Sequence, residues 1–276
     1  MLAYAIHVQS PADELLYEGL PHLAPVLEEF GSGALLIGGM AAIAWLTACP
    51  VGLPVRATRD IDLGINAVKL GISKDHAPVQ PLLKKHGFKP GFGGESFRFS
   101  RHTSHGPFVV DLLVAKGASK ADPPEVERGL PSLAAPGLAY AVLRGPVPMQ
   151  LTMHGPAGEQ RMFTFSVVTL DAAFVMKATL VASGSRRQAA RRVTDTTDAI
   201  MLAAACLQDD DAMTALASHR RRSEPKRALA WLTDAFSTPT SAAARRVADT
   251  AESPAETAAW TGDVATRFIE RLNAAR

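Results

Sequence analysis

An apolar run, Ala34-Leu35-Leu36-Ile37, stops at two glycines, Gly38 and Gly39, and a second short run carries two acids, Asp60-Ile61-Asp62. An Ala-rich, helix-forming segment from Met40 to Ala48 lies between them. No other feature constrains the fold as tightly. Carboxylates at i and i+2 of an extended segment point to one side, because strand side chains alternate faces. Ile61 then points into the core. A Gly-Gly turn before a helix lets backbone approach a ligand and presents free N–H groups, an arrangement that receives phosphate. Two convergent carboxylates supply oxygen ligands for a divalent cation. The stretch therefore describes a site for a nucleoside triphosphate with Mg2+ (or Mn2+), with Gly38 and Gly39 at the phosphates. Asp-x-Asp alone also fits a buried strand with a solvated pair of acids at its end; the glycines upstream and the acid described next favour the site.

A second chemical signal is Asp111, inside the compact apolar run Phe108-Val109-Val110-Asp111-Leu112-Leu113-Val114. A lone acid in a buried strand is costly unless something satisfies its charge. If this strand lies beside the first, Asp111 completes a cluster with Asp60 and Asp62. The competing arrangement is an Asp111 paired with a nearby arginine, Arg98 or Arg101, from the alternating segment Phe97 to Arg101.

Composition sets the class. The chain has 276 residues, 47% of them hydrophobic and 20% charged, which is globular and long enough for one large domain or two ordinary ones. No run is long enough to span a membrane and no signal peptide opens the chain, so the expectation is a cytoplasmic protein with no membrane partner. Cys49 and Cys206 lie far apart in Ala-rich surroundings and read as free thiols. No metal-ligand spacing occurs among the eight histidines.

Residues 1–30 read as helical from the spacing of Leu15, Leu16, Leu20, Leu23, Leu27 and Phe30, with a break expected at Pro21. His76 to His86 reads as a short helix ended by Gly87. His102 and His105 flank a hairpin. Residues 115–136 read as loop. Leu138 to Arg144 and Arg161 to Thr169 are strand candidates, with a turn at His154 to Gly158 between them. From Leu170 the character turns to helix and stays so, with Asp171 as N-cap. The helix after Asp171 is apolar at nearly every position except Lys177, which must face an anion or a carboxylate. In the next helix Asp195 and Asp198 share a face, and Arg191 is placed to pair with Asp195.

These residues resemble the nucleotidyltransferase superfamily and, within it, the AbiEii-type toxin family. The superfamily pattern is an apolar residue, Gly, Gly or Ser, a helix, then Asp-x-Asp, matched here by Ile37-Gly38-Gly39 and Asp60-Ile61-Asp62. The wording Arg56-Ala57-Thr58-Arg59-Asp60-Ile61-Asp62 is typical of the toxin family. The segment between the glycines and Asp60 is longer than usual, through an insert at Cys49 to Pro54. The family's later motifs, a helix lysine and Arg-x-Lys-Asp-x-x-Asp, fall on Lys177 and on Arg192, Asp195 and Asp198, with Thr194 where lysine is usual. The likeness spans residues 34–200.

The resemblance implies an α/β (α+β) nucleotidyltransferase fold with a mixed sheet over residues 1–169, followed by an α-helical domain over 170–276. It implies that Asp60, Asp62 and Asp111 bind metal and that Asp111 takes the proton of an attacking hydroxyl. Arg56, Thr58, Lys177, Asp195 and Asp198 would line the nucleotide cleft. The implied reaction moves a nucleoside monophosphate from an NTP to an acceptor hydroxyl and releases pyrophosphate. An RNA acceptor, in particular a tRNA 3′ end, and the role of a toxin restrained by an antitoxin protein follow from the same family. A protein side chain or small molecule as acceptor (AMPylation-like chemistry), or a non-catalytic binding module on the same fold, are the alternatives.

Charge placement bears on the acceptor. Residues 1–170 carry no net charge, so the formal +2 of the whole chain arises after them. There it is clustered, in Arg186, Arg187, Arg191 and Arg192 and again in Arg220, Arg221, Arg222, Lys226 and Arg227. Basic knots on a helical region beside a nucleotide site fit a phosphate backbone such as RNA; ordinary solvated faces are the plainer account.

Overall fold

A computed structural model describes residues 2–55, 58, 60–66, 79–115, 133–184 and 189–275. Arg56, Arg186 and Arg187, most of the 115–136 segment, and the side chain of Arg191 lie outside the described residues.

The chain is mixed α/β, and the strands among the described residues form one nine-stranded mixed sheet. In chain order the elements are β1 (Leu2–His7), α1 (Pro11–Phe30), β2 (Ala34–Ile37), α2 (Gly38–Ala48), β3 (Asp60–Ile65), α3 (Val79–Lys85), β4 (Lys89–Pro90), β5 (Arg98–Thr103), β6 (Gly106–Ala115) and β7 (Leu133–Ala135). There follow α4 (Leu138–Arg144), β8 (Pro146–His154), β9 (Gln160–Val168), α5 (Leu170–Ala182), α6 (Ala189–Cys206), α7 (Asp210–His219), α8 (Ser223–Ala235), α9 (Ala242–Ala248) and α10 (Pro254–Ala274). The strands run β1-β8-β9-β2-β3-β6-β5-β4, with β7 also on β6. Parallel and antiparallel neighbours mix, and β3 lies parallel beside β6. Beyond Val168 every element among the described residues is a helix. No helix among them is long and apolar enough to cross a membrane.

Two features of the first thirty residues differ from the sequence reading. Leu2–His7 is a strand, paired in parallel with β8. Helix α1 also runs unbroken past Pro21 and Pro25. A proline cannot donate to the carbonyl four residues back, so Pro21 leaves the Tyr17 carbonyl without its helical partner. Arg161 on β9 supplies the donor at 2.9 Å and lies over the Tyr17 ring. The helix start is secured by a capping box, with Ser10 accepting from the Asp13 N–H and Asp13 accepting from the Ser10 N–H.

Leu138–Arg144 is a helix, not a strand. Its first turn is capped from a distance, because the Glu224 carboxylate on α8 accepts from the Gly137 and Tyr140 N–H groups. The strand β8 fills the stretch just after it, and His154 ends that strand with its ring stacked on His7 at 4.5 Å. Asp171 is not the N-cap of α5, which falls to Thr169. It sits buried in the first turn, accepting from the Tyr140 hydroxyl at 2.5 Å and from Arg144 Nε at 2.7 Å. Burial first, and then the Asp171 charge, push the Tyr140 hydroxyl well above its ordinary pKa. The pair fastens α4 to α5. Cys49 and Cys206 are free thiols, the second buried and pushed up by that burial.

Candidate active site

Strand register builds the site. In β3 and β6 the partners are Asp60 with Val109 and Asp62 with Asp111. In β5 and β6 Arg98 stands opposite Asp111. Directly paired residues project to the same face, so Asp60, Asp62, Asp111 and Arg98 share one face of three adjacent strands. Ile61, Phe108, Val110 and Leu112 take the other face, each fully buried. There the Phe108 ring lies so close to Gly19 that α1 admits no side chain at that point. The acid face is closed at one end by α4, whose Leu138 covers Gly64.

Gly38 and Gly39 are the first two residues of α2. Gly38 opens α2 with φ +64°, a region that favours glycine. A Cβ placed on it would stand 1.8 Å from Asp62 Oδ2. The first turn of α2 and the Asp62 carboxylate are therefore packed against one another, with no side chain between them. The N-cap, Ile37, offers no side-chain acceptor, so the helix start is left to other partners for its amides. Gly38→Ala should lose about 1–3 kcal/mol of stability and move Asp62 out of register with Asp111. A thermal midpoint and transfer rate equal to wild type would show that the close approach is dispensable.

Asp111 is 7% exposed and bound at both oxygens by a two-pronged arginine contact. Arg98 Nε donates to Oδ1 and Nη2 to Oδ2, each at 2.7 Å. The fork is the strongest arrangement available to these groups. The hydrogen bond to Asp111, opposed by burial and aided by the charges of Asp111, Asp60 and Asp62, raises the Arg98 guanidinium further above its ordinary pKa. Of the two sequence alternatives for Asp111, the arginine partner is the one the structure contains, on a strand that sets Asp111 beside Asp62. Arg101 is engaged elsewhere, donating to the His86 carbonyl. No group of three or more His, Cys, Asp or Glu side chains among the described residues is set to hold a metal ion. The carboxylates of Asp60 and Asp62 remain on the shared face, and Thr58 Oγ1 is 3.4 Å from the Asp60 carbonyl.

Lys177, Asp195 and Asp198 form a buried triad between α5 and α6. Lys177 Nζ lies 2.8 Å from Asp195 Oδ1 and 2.8 Å from Asp198 Oδ2. Burial pulls the ammonium pKa down, and Asp198 and Asp195 together more than offset it, so the lysine stands above its ordinary value.

One residue of each basic knot, Arg192 and Arg227, reaches the C-terminal end of α5. Arg192 donates to the Gly184 carbonyl and Arg227 to that of Ala182. Each thereby serves helix-end acceptors. Arg221 and Arg222 are exposed where α7 meets α8, and Arg220 is half-buried there.

Arg98 is the residue whose importance sequence reasoning missed. It was visible only as one possible partner for Asp111. The signal was the hairpin: with Ser104 and His105 as the two-residue turn, Thr103 meets Gly106 and the register carries Arg98 to Asp111.

No family model matches the chain, and no curated protein sequence does. Among solved structures it is similar to an antigenic nucleotidyltransferase-like protein from Paracoccidioides brasiliensis. The identity is 18%, over 78% of this chain and 92% of that one, with a TM-score of 0.38. A likeness at that level assigns neither fold family nor activity to this chain.

Proposed function

We propose that the protein is a nucleotidyltransferase that moves a nucleoside monophosphate from an NTP to an acceptor hydroxyl. The observation that carries this reading is the register that sets Asp60, Asp62 and Asp111 side by side, with the start of α2 packed against Asp62. The acceptor oxygen attacks the α-phosphorus, the bond from that phosphorus to the bridging oxygen breaks, and pyrophosphate leaves. Asp111 takes the proton of the attacking hydroxyl, since each of its oxygens keeps a lone pair beyond the one Arg98 uses. Gly38 and Gly39 let the triphosphate approach the backbone, with Thr58 beside it; Arg56, also expected there from the sequence, lies outside the described residues. Lys177, Asp195 and Asp198 line the nucleotide cleft from the helical region, which we take as residues 170–276.

Asp60 and Asp62 fit a divalent cation. They are hard oxygen donors on one face, and Mg2+ is commonly held by one or two carboxylates together with substrate phosphates. Such an ion, Mg2+ or Mn2+, would stabilise charge on the phosphate oxygens when bound.

The acceptor is RNA in this reading, with a tRNA 3′ end the leading case and an antitoxin-controlled toxin the biological role. The motif wording around Asp60 and Lys177 and the exposed basic knot support it; a protein hydroxyl or a small molecule is the second choice. Incubation with each labelled NTP, Mg2+ and total cellular RNA tests the assignment, the label being expected on RNA. Label on protein instead would move the acceptor to a side chain.

If RNA is bound through the basic knot, its affinity falls steeply with salt, because each phosphate contact releases counterions. Replacing Arg220, Arg221 and Arg222 by Gln removes three contacts and should flatten the log–log salt slope by about two. NTP binding should stay unchanged, since these side chains lie outside the acid cluster. Equal slopes for the two proteins would remove this knot from the RNA surface.

A further inference from the structure

Resting on that reading, we propose that Glu224 is a positioning residue for the reaction: from within the basic knot on α8, its carboxylate fixes the first turn of α4, and α4 in turn fixes β3 beside Asp62.

Helix α4 does not cap itself. Its N-cap is Gly137 and its third residue is Tyr140, so neither position carries the side-chain acceptor of a capping box. Glu224 supplies both acceptors. Its Oε1 accepts from the Gly137 N–H at 2.9 Å and its Oε2 from the Tyr140 N–H at 2.7 Å. An acid in the first turn of α8 is expected from the dipole of that helix alone, but here both oxygens are turned to another helix. The two donors flank Leu138, the side chain that lies against the acid face. A Cβ on Gly64 would stand 2.7 Å from Leu138 Cδ1. Gly64 follows Asp62 by two residues on β3 and projects to the same side. The contact therefore falls on the next position along the row that carries Asp60 and Asp62.

The helical region grips α4 at further points. The Gly137 backbone is pressed against α5, where an added Cβ would stand 2.6 Å from the Met176 Cα. The Tyr140 ring meets His219 of α7 edge-on at 5.7 Å, and its hydroxyl donates to Asp171 on α5. Glu224 holds the turn on which Leu138 stands, through two charge-assisted bonds to backbone. It also lies between Arg222 and Lys226 in the chain. The surface proposed for the acceptor and the wall of the acid face thus meet in one short stretch.

The test compares the full chain with Glu224→Ala, which removes both acceptors, and Glu224→Gln, which keeps one oxygen acceptor. The first readout is amide hydrogen exchange, which needs no substrate. Glu224→Ala should speed exchange in α4 and in β3 while β8 keeps its wild-type rate, with Glu224→Gln in between. If the alanine variant does not fold, Glu224→Gln carries the comparison. A purely structural cap predicts a change confined to α4 or, through lower global stability, the same acceleration in every core strand; either result overturns the inference. The second readout is transfer. Folded Glu224→Ala should lose about ten- to a hundred-fold in kcat, the scale of a small misplacement of reacting groups, with KM for NTP unmoved. A wild-type kcat in that variant overturns the inference and leaves nucleotidyl transfer standing. A wild type that transfers no nucleotide overturns the reaction and with it the positioning role, while the exchange pattern still separates a tie to β3 from a local cap.

Discussion

Asp62→Ala lowers nucleotide transfer by about a thousand-fold or more, the scale on which enzymes lose rate when a central group of the site is removed, while the protein stays folded. Asp62 is in contact with both halves of the proposed site. It is registered with Asp111 across the sheet and packed against Gly38 at the start of α2. Its loss takes away an oxygen donor and the group that fixes the helix start beside the acids. Stability is expected to change little. The cavity left by the short side chain costs something, and relief of repulsion among clustered carboxylates offsets it. A thermal midpoint within a few degrees of wild type, with transfer lost, is the expected pair of results. Transfer at the wild-type rate would remove the carboxylate pair from the chemistry.

Lys177→Ala has the largest expected effect on stability. It leaves Asp195 and Asp198, 8% and 4% exposed, without the cation that both contact. Stranding buried charge in this way costs about 3–5 kcal/mol, which for a chain of this size lowers the midpoint by about 10 °C. The pH dependence has a definite sign. The folded lysine is held above its ordinary value of 10.5, so its contribution is complete below that value and is lost as the pH rises through the higher folded value. Wild type should therefore lose stability in the strongly alkaline range, and the variant should lack that component. If Lys177 also reaches the triphosphate, NTP affinity falls by about ten- to a hundred-fold, the worth of a charge-assisted phosphate contact. Thermal denaturation across pH measures the first effect and nucleotide titration of the folded variant the second. A midpoint unchanged by Lys177→Ala would contradict the buried triad.

The core of the site was legible because it is local. The apolar run, two glycines, a helix and Asp-x-Asp follow one another within some thirty residues, and alternation along a strand is enough to aim both acids one way. Asp111 announced itself as a charge in an apolar run. The elements that were misread depend on partners far along the chain. Leu2–His7 becomes a strand by pairing with β8, and β8, whose inward residues alternate with prolines and polar groups, becomes one by lying between β1 and β9. The short helix at Leu138 takes its cap from Glu224, and α1 passes Pro21 with the help of Arg161. Local propensity carries none of these contacts. The same holds for Asp171, whose partners Tyr140 and Arg144 precede it by a whole hairpin. Lys177 was correctly read as needing a carboxylate or an anion, and it contacts both Asp195 and Asp198 on α6; the pairing expected between Arg191 and Asp195 falls on a side chain outside the described residues.

The central claim is transfer of a nucleotidyl group at the Asp60, Asp62 and Asp111 face. The most direct measurement follows two labels in one reaction, an NTP carrying phosphorus label at the α position and the same NTP labelled at γ, with Mg2+, total cellular RNA and either wild type or Asp62→Ala. The account predicts that the α label becomes attached to a macromolecular acceptor, that the γ label leaves as pyrophosphate, and that Asp62→Ala does neither. Attachment of the γ label, or equal transfer by wild type and Asp62→Ala, would contradict it.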